Sequence, residues 1–377
     1  MKQVFTDFIS PVEQSFFSKS GRNLMSTKIP YIVVQNFPNL GLFTALRFLE
    51  WVSQNPEGVI SLPTGKTPEY FIKWTQYLLN HWDSVETKKI REANGLFLNR
   101  KPELKRLRFV QIDEFYPINP KHHNSFYDYV SQFYIRDFGL DPARALLINS
   151  DEIPLAENKT YSDVFPNGII DLTLRNREAK TYVEKLQKSS ILQIDNWCVE
   201  YERKIREMGG IGFFLGGIGP DGHIAFNTLG SDPYSTTRLT ATNFQTQAAA
   251  AGDLGGMEVS RNRLVITIGL GTIAYNPDCV SIIFAAGESK APVVKNALEQ
   301  KPCNLYPATA LQKLKNARFY LTEGAAVKLK DSLDKYYKEG EWTFEKTEQA
   351  IFNVCQKFNP HSALEKKGFL CVEISNA

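Results

Sequence analysis

Two segments of the chain set carboxylates, a histidine and glycines at spacings that could do chemistry. Phe109-Val-Gln-Ile-Asp-Glu-Phe-Tyr116 ends an apolar run on adjacent carboxylates. In an extended strand Asp113 and Glu114 point to opposite faces. A carboxylate partly desolvated at a sheet edge has a raised pKa and can serve as a general base, whereas its plainer role is an N-cap or an ion-pair partner. Phe213-Phe-Leu-Gly-Gly-Ile-Gly-Pro-Asp-Gly-His-Ile-Ala-Phe-Asn227 places four glycines in the seven residues 216–222. Such a stretch lets backbone approach a ligand closely. It brings Asp221 to within two residues of His223, where a carboxylate can orient an imidazole.

Two further segments suit an anion. Ser61-Leu-Pro-Thr-Gly-Lys-Thr-Pro68 runs from an apolar strand into a turn and then a helix, presenting N–H groups and hydroxyls at Thr64, Gly65, Lys66 and Thr67. A nucleotide P-loop needs glycine five residues before Gly65, and Ile60 stands there. The segment therefore reads as a phosphate cradle or as a plain turn, not as a nucleoside triphosphate site. Ala285-Ala-Gly-Glu-Ser-Lys-Ala-Pro292 starts a helix just past another strand, with Lys290 placed to neutralise a phosphate or simply to face solvent. A formal G-x-G-x-x-G from Gly217 to Gly222 is broken by Pro220, and no helical pattern opens after it, so no dinucleotide cofactor is expected.

The elements that must position these residues are short apolar runs at Val59–Leu62, Leu107–Ile112, Ile211–Leu215, Leu264–Ile268, Val280–Ala285 and Arg318–Leu321. They read as buried parallel strands. Helical periodicity appears in Leu40–Val52, Tyr182–Leu186 and Ala291–Leu298. The alternation predicts an α/β fold with a Rossmann-like, mostly parallel sheet and helices on both faces, in which ligands bind at the carboxyl ends of strands. Ser150–Arg177 carries no clear period and reads as an inserted surface excursion. Beyond about residue 326 the composition turns charged and aromatic, as for peripheral helices closing on one enlarged domain spanning 1–377.

Composition narrows the class. A net charge of +3 without a Lys/Arg stripe gives no footprint for nucleic acid. No window approaches eighteen consecutive apolar residues, and no apolar stretch follows Lys2, so neither a membrane span nor a signal peptide is expected. Five widely spaced cysteines without CxxC suit a reducing, cytoplasmic setting. The five histidines show no metal-ligand spacing, so no metal is expected.

Taken in order, the motifs LPTGKTP, IDEFYP with HHNSFYDYV, GGIGPDGHIAFN, ITIGLGTI, AAGESKA and PATALQ resemble the glucosamine-6-phosphate deaminase/isomerase family from about Leu40 to Ala326. The resemblance implies an amino-hexose 6-phosphate as substrate and no cofactor. It makes His223 the residue that opens the sugar ring, with Asp221 as its partner. Asp113 becomes the base that moves a proton from C2 to C1 while ammonia leaves. Thr64, Gly65, Lys66, Thr67 and Lys290 fall where the family holds the phosphate, and Glu114 and Gly219 are expected beside the substrate. A homo-oligomer is implied as well, and Ser231 and Arg238 match a region that serves allosteric control in some relatives.

Two positions depart from that pattern. Thr228 stands where the family has a glutamate that helps set the histidine's charge. The family's phosphate-binding arginine has no counterpart in Gln247-Ala-Ala-Ala-Ala-Gly252. Lys66, where a small residue is usual, offers a replacement charge. The departures keep open a non-deaminating isomerase or a sugar-phosphate sensor. A 6-phosphogluconolactonase-type hydrolase shares the sheet and a Gly-x-Asp-Gly-His element, and the Ile224-Ala-Phe-Asn continuation and IDEFYP argue against it.

Overall fold

The computed structural model describes residues 9–20, 27–248, 263–329, 337–338, 341–358, 363–366 and 369–372. Its centre is a seven-stranded sheet made of β1 (Tyr31–Val34), β2 (Val59–Ser61), β3 (Arg108–Val110), β5 (Ala145–Leu146), β6 (Phe213–Gly217), β9 (Val280–Ala285) and β10 (Arg318–Thr322). The strands lie in the order β1-β10-β9-β6-β2-β3-β5, and each neighbouring pair is parallel. The α/β class expected from the sequence is the one observed.

Side-chain alternation divides the core between the two faces. Phe213, Leu215, Ile282 and Tyr320 pack on one side with Phe48 of helix Phe37–Gln54 and Phe71 of helix Glu69–Asn80. Phe214, Ile283 and Phe319 pack on the other with Ile191 and Ile194 of helix Tyr182–Glu207 and Val294 of helix Ala291–Glu299. Adjacent residues serving opposite clusters is what a period of two requires of a sheet covered on both faces. Gly41 is where helix Phe37–Gln54 meets helix Glu69–Asn80. A Cβ there would lie 2.4 Å from the Tyr70 Cβ, so glycine permits the close crossing.

Two expected strands sit elsewhere. The run read as Leu107–Ile112 stops at Val110, and a separate strand β4 (Asp113–Tyr116) begins three residues later. Strand β8 (Leu264–Thr267), read as a parallel core strand, instead lies between β4 and β7 (Arg238–Ala241) in a three-stranded antiparallel sheet. Its register pairs Thr267 with both Asp113 and Arg238.

Residues 150–177 are irregular, as their lack of period suggests, but they are more than a surface excursion. Ile153, Leu155, Val164, Phe165, Ile170 and Leu174 are buried and join the same core cluster as helix Tyr182–Glu207. Arg175 ties the segment down, bonding both Asp195 oxygens and the Leu239 carbonyl. That helix begins with a capping box between Thr181 and Glu184. Past residue 326 the chain forms helix Phe344–Phe358 and also an antiparallel hairpin of β11 (Ala363–Lys366) and β12 (Phe369–Val372), which the charged composition did not suggest. Among the described residues, no helix is long and apolar enough to cross a membrane.

Candidate active site

Strands β9, β6 and β2 are consecutive neighbours and parallel, so their carboxyl ends open on one edge of the sheet. The chain leaves β2 toward β3 on one side and leaves β6 toward β9 on the other. That divergence makes the crevice between β2 and β6 the topological switch point, where such sheets bind ligands. Three of the sequence motifs meet there: residues 62–67 after β2, residues 218–223 after β6, and residues 286–290 after β9.

The first and third motifs line a cavity of about 190 Å³, whose walls include Phe37, Lys66, Thr67, Ile218, Ala285 and Lys290. Gly65 has φ +88°, the left-handed conformation that glycine adopts without strain. Two tyrosines hold the loop by its carbonyls, Tyr129 Oη donating to Gly65 at 3.0 Å and Tyr134 Oη to Pro63 at 2.5 Å. Thr64 is half-buried, whereas Gly65, Lys66 and Thr67 are exposed. Lys290 Nζ donates to the Ile218 carbonyl at 2.8 Å, which fixes its ammonium between the two loops. Burial lowers its pKa, and the Asp221 charge pulls the other way.

The second motif builds the His–Asp pair. Gly222 has φ +86°, and the turn closes with Gly219 N–H donating to the His223 carbonyl at 2.9 Å. His223 Nδ1 lies 2.5 Å from Asp221 Oδ1, and Asp221 Oδ2 accepts from Asn243 Nδ2 at 2.5 Å. Burial would raise the Asp221 pKa, but the His223 hydrogen bond and charge, together with Asn243, bring it down to about 2. The carboxylate therefore stays ionised and keeps the proton of the hydrogen bond on Nδ1. His223 Nε2, on the far side of the ring, has no hydrogen-bond partner among the described residues.

The His223 loop is fastened to β8. Phe226 N–H donates to Thr267 Oγ1 at 3.1 Å, and Asn227 Nδ2 donates to the carbonyls of Ile224 and Ile268 at 3.0 and 2.9 Å. Ala225, between them, is held at φ +51°, uncommon for a residue with a Cβ. Arg238 Nη1 donates to Asn227 Oδ1 at 2.9 Å and its Nη2 to Ser231 Oγ at 3.3 Å, so in this chain both residues support the loop.

Asp113 of β4 stands opposite Thr267 of that same β8 strand. Gln111 Nε2 holds the Asp113 carbonyl at 2.9 Å and so sets the turn from β3 into β4. Asp113 is 8% exposed, and its carboxylate has no hydrogen-bond partner among the described residues. Burial, and then the neighbouring Glu114, push its pKa well above the usual carboxylate range. Glu114 departs from expectation. Its oxygens accept from the Phe115, Phe126 and Tyr127 amides and from Ser125 Oγ at 2.7–3.1 Å, which leaves it capping helix Phe126–Val130 instead of facing a ligand. Burial raises it to about 7 against those four donors.

Asp113, Asp221, His223, Gly219, Thr67, Lys66 and Lys290 thus come to one sheet edge, although Asp113 and His223 are not among the residues lining the cavity. The sequence reading missed Asn243, Thr246, Tyr129, Tyr134 and Gln111. Asn243 and Thr246 reach the glycine-rich turn, and Tyr129 and Tyr134 reach the 63–65 loop, from distant segments, whereas Gln111 acts on Asp113 two residues away. Thr228 makes turn contacts through its backbone, accepting from Ser231 N–H at 2.9 Å. In the segment 247–252, residues 249–252 lie outside the described residues.

The chain is 36% identical over 148 residues to glucosamine-6-phosphate deaminase of Borreliella afzelii, which is 39% of this chain and 54% of that protein. It is 39% identical over 141 residues to the deaminase of Caenorhabditis elegans, covering 37% and 52%. The chain spans about half the length of the curated relatives it matches. No family model matches it. A solved monomeric glucosamine-6-phosphate deaminase superposes with a TM-score of 0.58 at 21% identity, over 79% of this chain and 99% of that one. The 6-phosphogluconolactonase of Plasmodium vivax does so at 0.51 and 15% identity, over 83% and 96%. Both solved structures show likeness of fold. Over the matched segment the chain is similar in sequence to the glucosamine-6-phosphate deaminases.

Proposed function

We propose that the chain converts an amino-hexose 6-phosphate, with glucosamine 6-phosphate as the preferred case, to the ketose 6-phosphate and ammonia. The observation that carries this reading is the convergence on one sheet edge of an oriented His–Asp pair, a buried carboxylate with no hydrogen-bond partner among the described residues, and a cavity lined by two lysines. The curated deaminase relatives support the substrate class.

Each residue type has a task in that chemistry. Lys66, Lys290 and the Thr64–Thr67 turn take the 6-phosphate, with Lys66 supplying charge in place of the family's arginine. His223 Nε2 moves the proton between the anomeric hydroxyl and the ring oxygen, giving the open-chain aldehyde. Asp113, once ionised, removes the C2 proton to give an enolamine and returns it at C1. Water then adds at C2 and ammonia leaves. The proton taken is the proton returned, so the steps balance with water as the co-reactant.

Thr228 favours one runner-up, an isomerase or binder that leaves the amine in place. From glucosamine 6-phosphate deuterated at C2, the deaminase gives a product that carries deuterium at C1 and releases ammonia. Transfer of deuterium to C1 without ammonia supports the runner-up isomerase, and neither change overturns both the deaminase and the isomerase.

A further inference from the structure

Asn243 stands at the end of β7, twenty residues beyond the glycine-rich turn, and its side chain is constrained at both ends. Its Oδ1 accepts from the Thr246 amide at 3.0 Å, and its backbone carbonyl accepts from Gln247 N–H at 2.9 Å, so it caps the helical turn that begins at Phe244. An oxygen that accepts from a backbone amide fixes which end of the carboxamide is which. Nδ2 must then face Asp221 Oδ2, 2.5 Å away. The other Asp221 oxygen meets His223 Nδ1, and Thr246 Oγ1 lies 3.4 Å from that same nitrogen as a competing partner.

We infer that Asn243 is a positioning residue for the His223–Asp221 pair, locking the Asp221 carboxylate by hydrogen-bond donation and thereby doing part of what the glutamate absent at Thr228 would do. The inference rests on the reading of His223 as the ring-opening group. An amide suits the task because it donates to a carboxylate without adding charge. A carboxylate at 243 would face Asp221 charge to charge. With Asp221 released, the imidazole can turn toward Thr246, and Nε2 leaves its line with the ring oxygen. Misplacement by about 1 Å costs on the order of 10²-fold in rate.

The test separates donation from capping. Asp and Ser are as good as Asn at an N-cap, but an ionised Asp cannot donate and Ser is too short to reach Asp221. Asn243→Ser is therefore expected to keep the melting temperature of the parent within about 2 °C, whereas Asn243→Asp, which sets a like charge against Asp221, is expected to melt lower. In both, kcat for glucosamine 6-phosphate is expected to fall about 10²-fold with KM little changed. A second readout needs no turnover. The His223 Nδ1 proton, assigned by its loss in His223→Gln, is expected as a downfield, slowly exchanging NMR resonance in the parent and to broaden away in both variants. A parent that lacks activity but shows this pattern overturns the functional reading and leaves the positioning role standing. Retention of the resonance in Asn243→Asp, its absence from the parent, or undiminished kcat in either variant overturns the positioning role.

Discussion

Gly219 lies directly against the His223 ring, so closely that a Cβ on residue 219 would sit 2.1 Å from the imidazole Cε1. No side chain fits there while the imidazole keeps its hydrogen bond to Asp221. Gly219→Ala is therefore expected to swing the ring out of place and lower kcat on the order of 10²-fold. Its cost to folding is expected to be the roughly 1–3 kcal/mol of an overpacked site. Steady-state kinetics beside urea unfolding checks both, and unchanged kcat would show that the ring does not need its observed position.

Asp113 works as a base only when ionised, and its pKa is raised by burial and by Glu114. Activity is therefore lost as pH falls through that raised pKa, with an acid limb of kcat/KM above the usual carboxylate range near 3.8. Stability runs the other way. Below the unfolded value the group is protonated in both states, and as pH rises the unfolded chain ionises first and gains. Asp113→Asn escapes that penalty. It is expected to melt higher than the parent at neutral pH, with the difference closing below pH 3.8, while losing about 10²–10⁴-fold in rate. Thermal melts across pH beside a rate profile check the pair of effects.

Asn227 is 0% exposed and uses both ends of its carboxamide, donating to Ile224 and Ile268 and accepting from Arg238 and Ser235. Asn227→Asp replaces the donor with an oxygen that faces two carbonyls. The expected loss is about 1–3 kcal/mol for the groups left unpaired, with the Arg238 contact kept. Chemical denaturation measures it.

Among the described residues Lys290, unlike Lys66, has a partner for its ammonium already, the Ile218 carbonyl. Either lysine changed to Met is expected to raise KM for the phosphorylated sugar about 10- to 100-fold, the worth of a charged hydrogen bond of about 1.5–3 kcal/mol. Inhibition by inorganic phosphate should weaken in parallel. A KM unchanged in Lys66→Met would remove that residue from the phosphate site.

The parallel core was legible because its strands are short apolar runs whose alternating residues feed both faces, as Phe213 and Phe214 do. The placement of Asp113 was not. Nothing in Phe109–Tyr116 marks the break after Val110, which depends on Gln111 reaching the Asp113 carbonyl from one side and the Ile148 amide from the other. Nor does Leu264–Thr267 differ in composition from the parallel strands, since its burial on both faces is the same. In the site, Asp221 and His223 were visible as neighbours in sequence. Asn243 was not, because its role comes from a helical turn that happens to begin opposite Asp221. Glu114 was misread for the reverse reason. A carboxylate next to a candidate base looks functional until the amides of residues 126 and 127 are seen to converge on it.

The most direct test of the account is the release of ammonia and fructose 6-phosphate from glucosamine 6-phosphate by the purified protein, measured beside Asp113→Asn. Equal amounts of both products are expected from the parent, and a loss of at least about 10²-fold in the variant. A parent that forms neither product, or a variant that forms them at the parent's rate, would contradict the account.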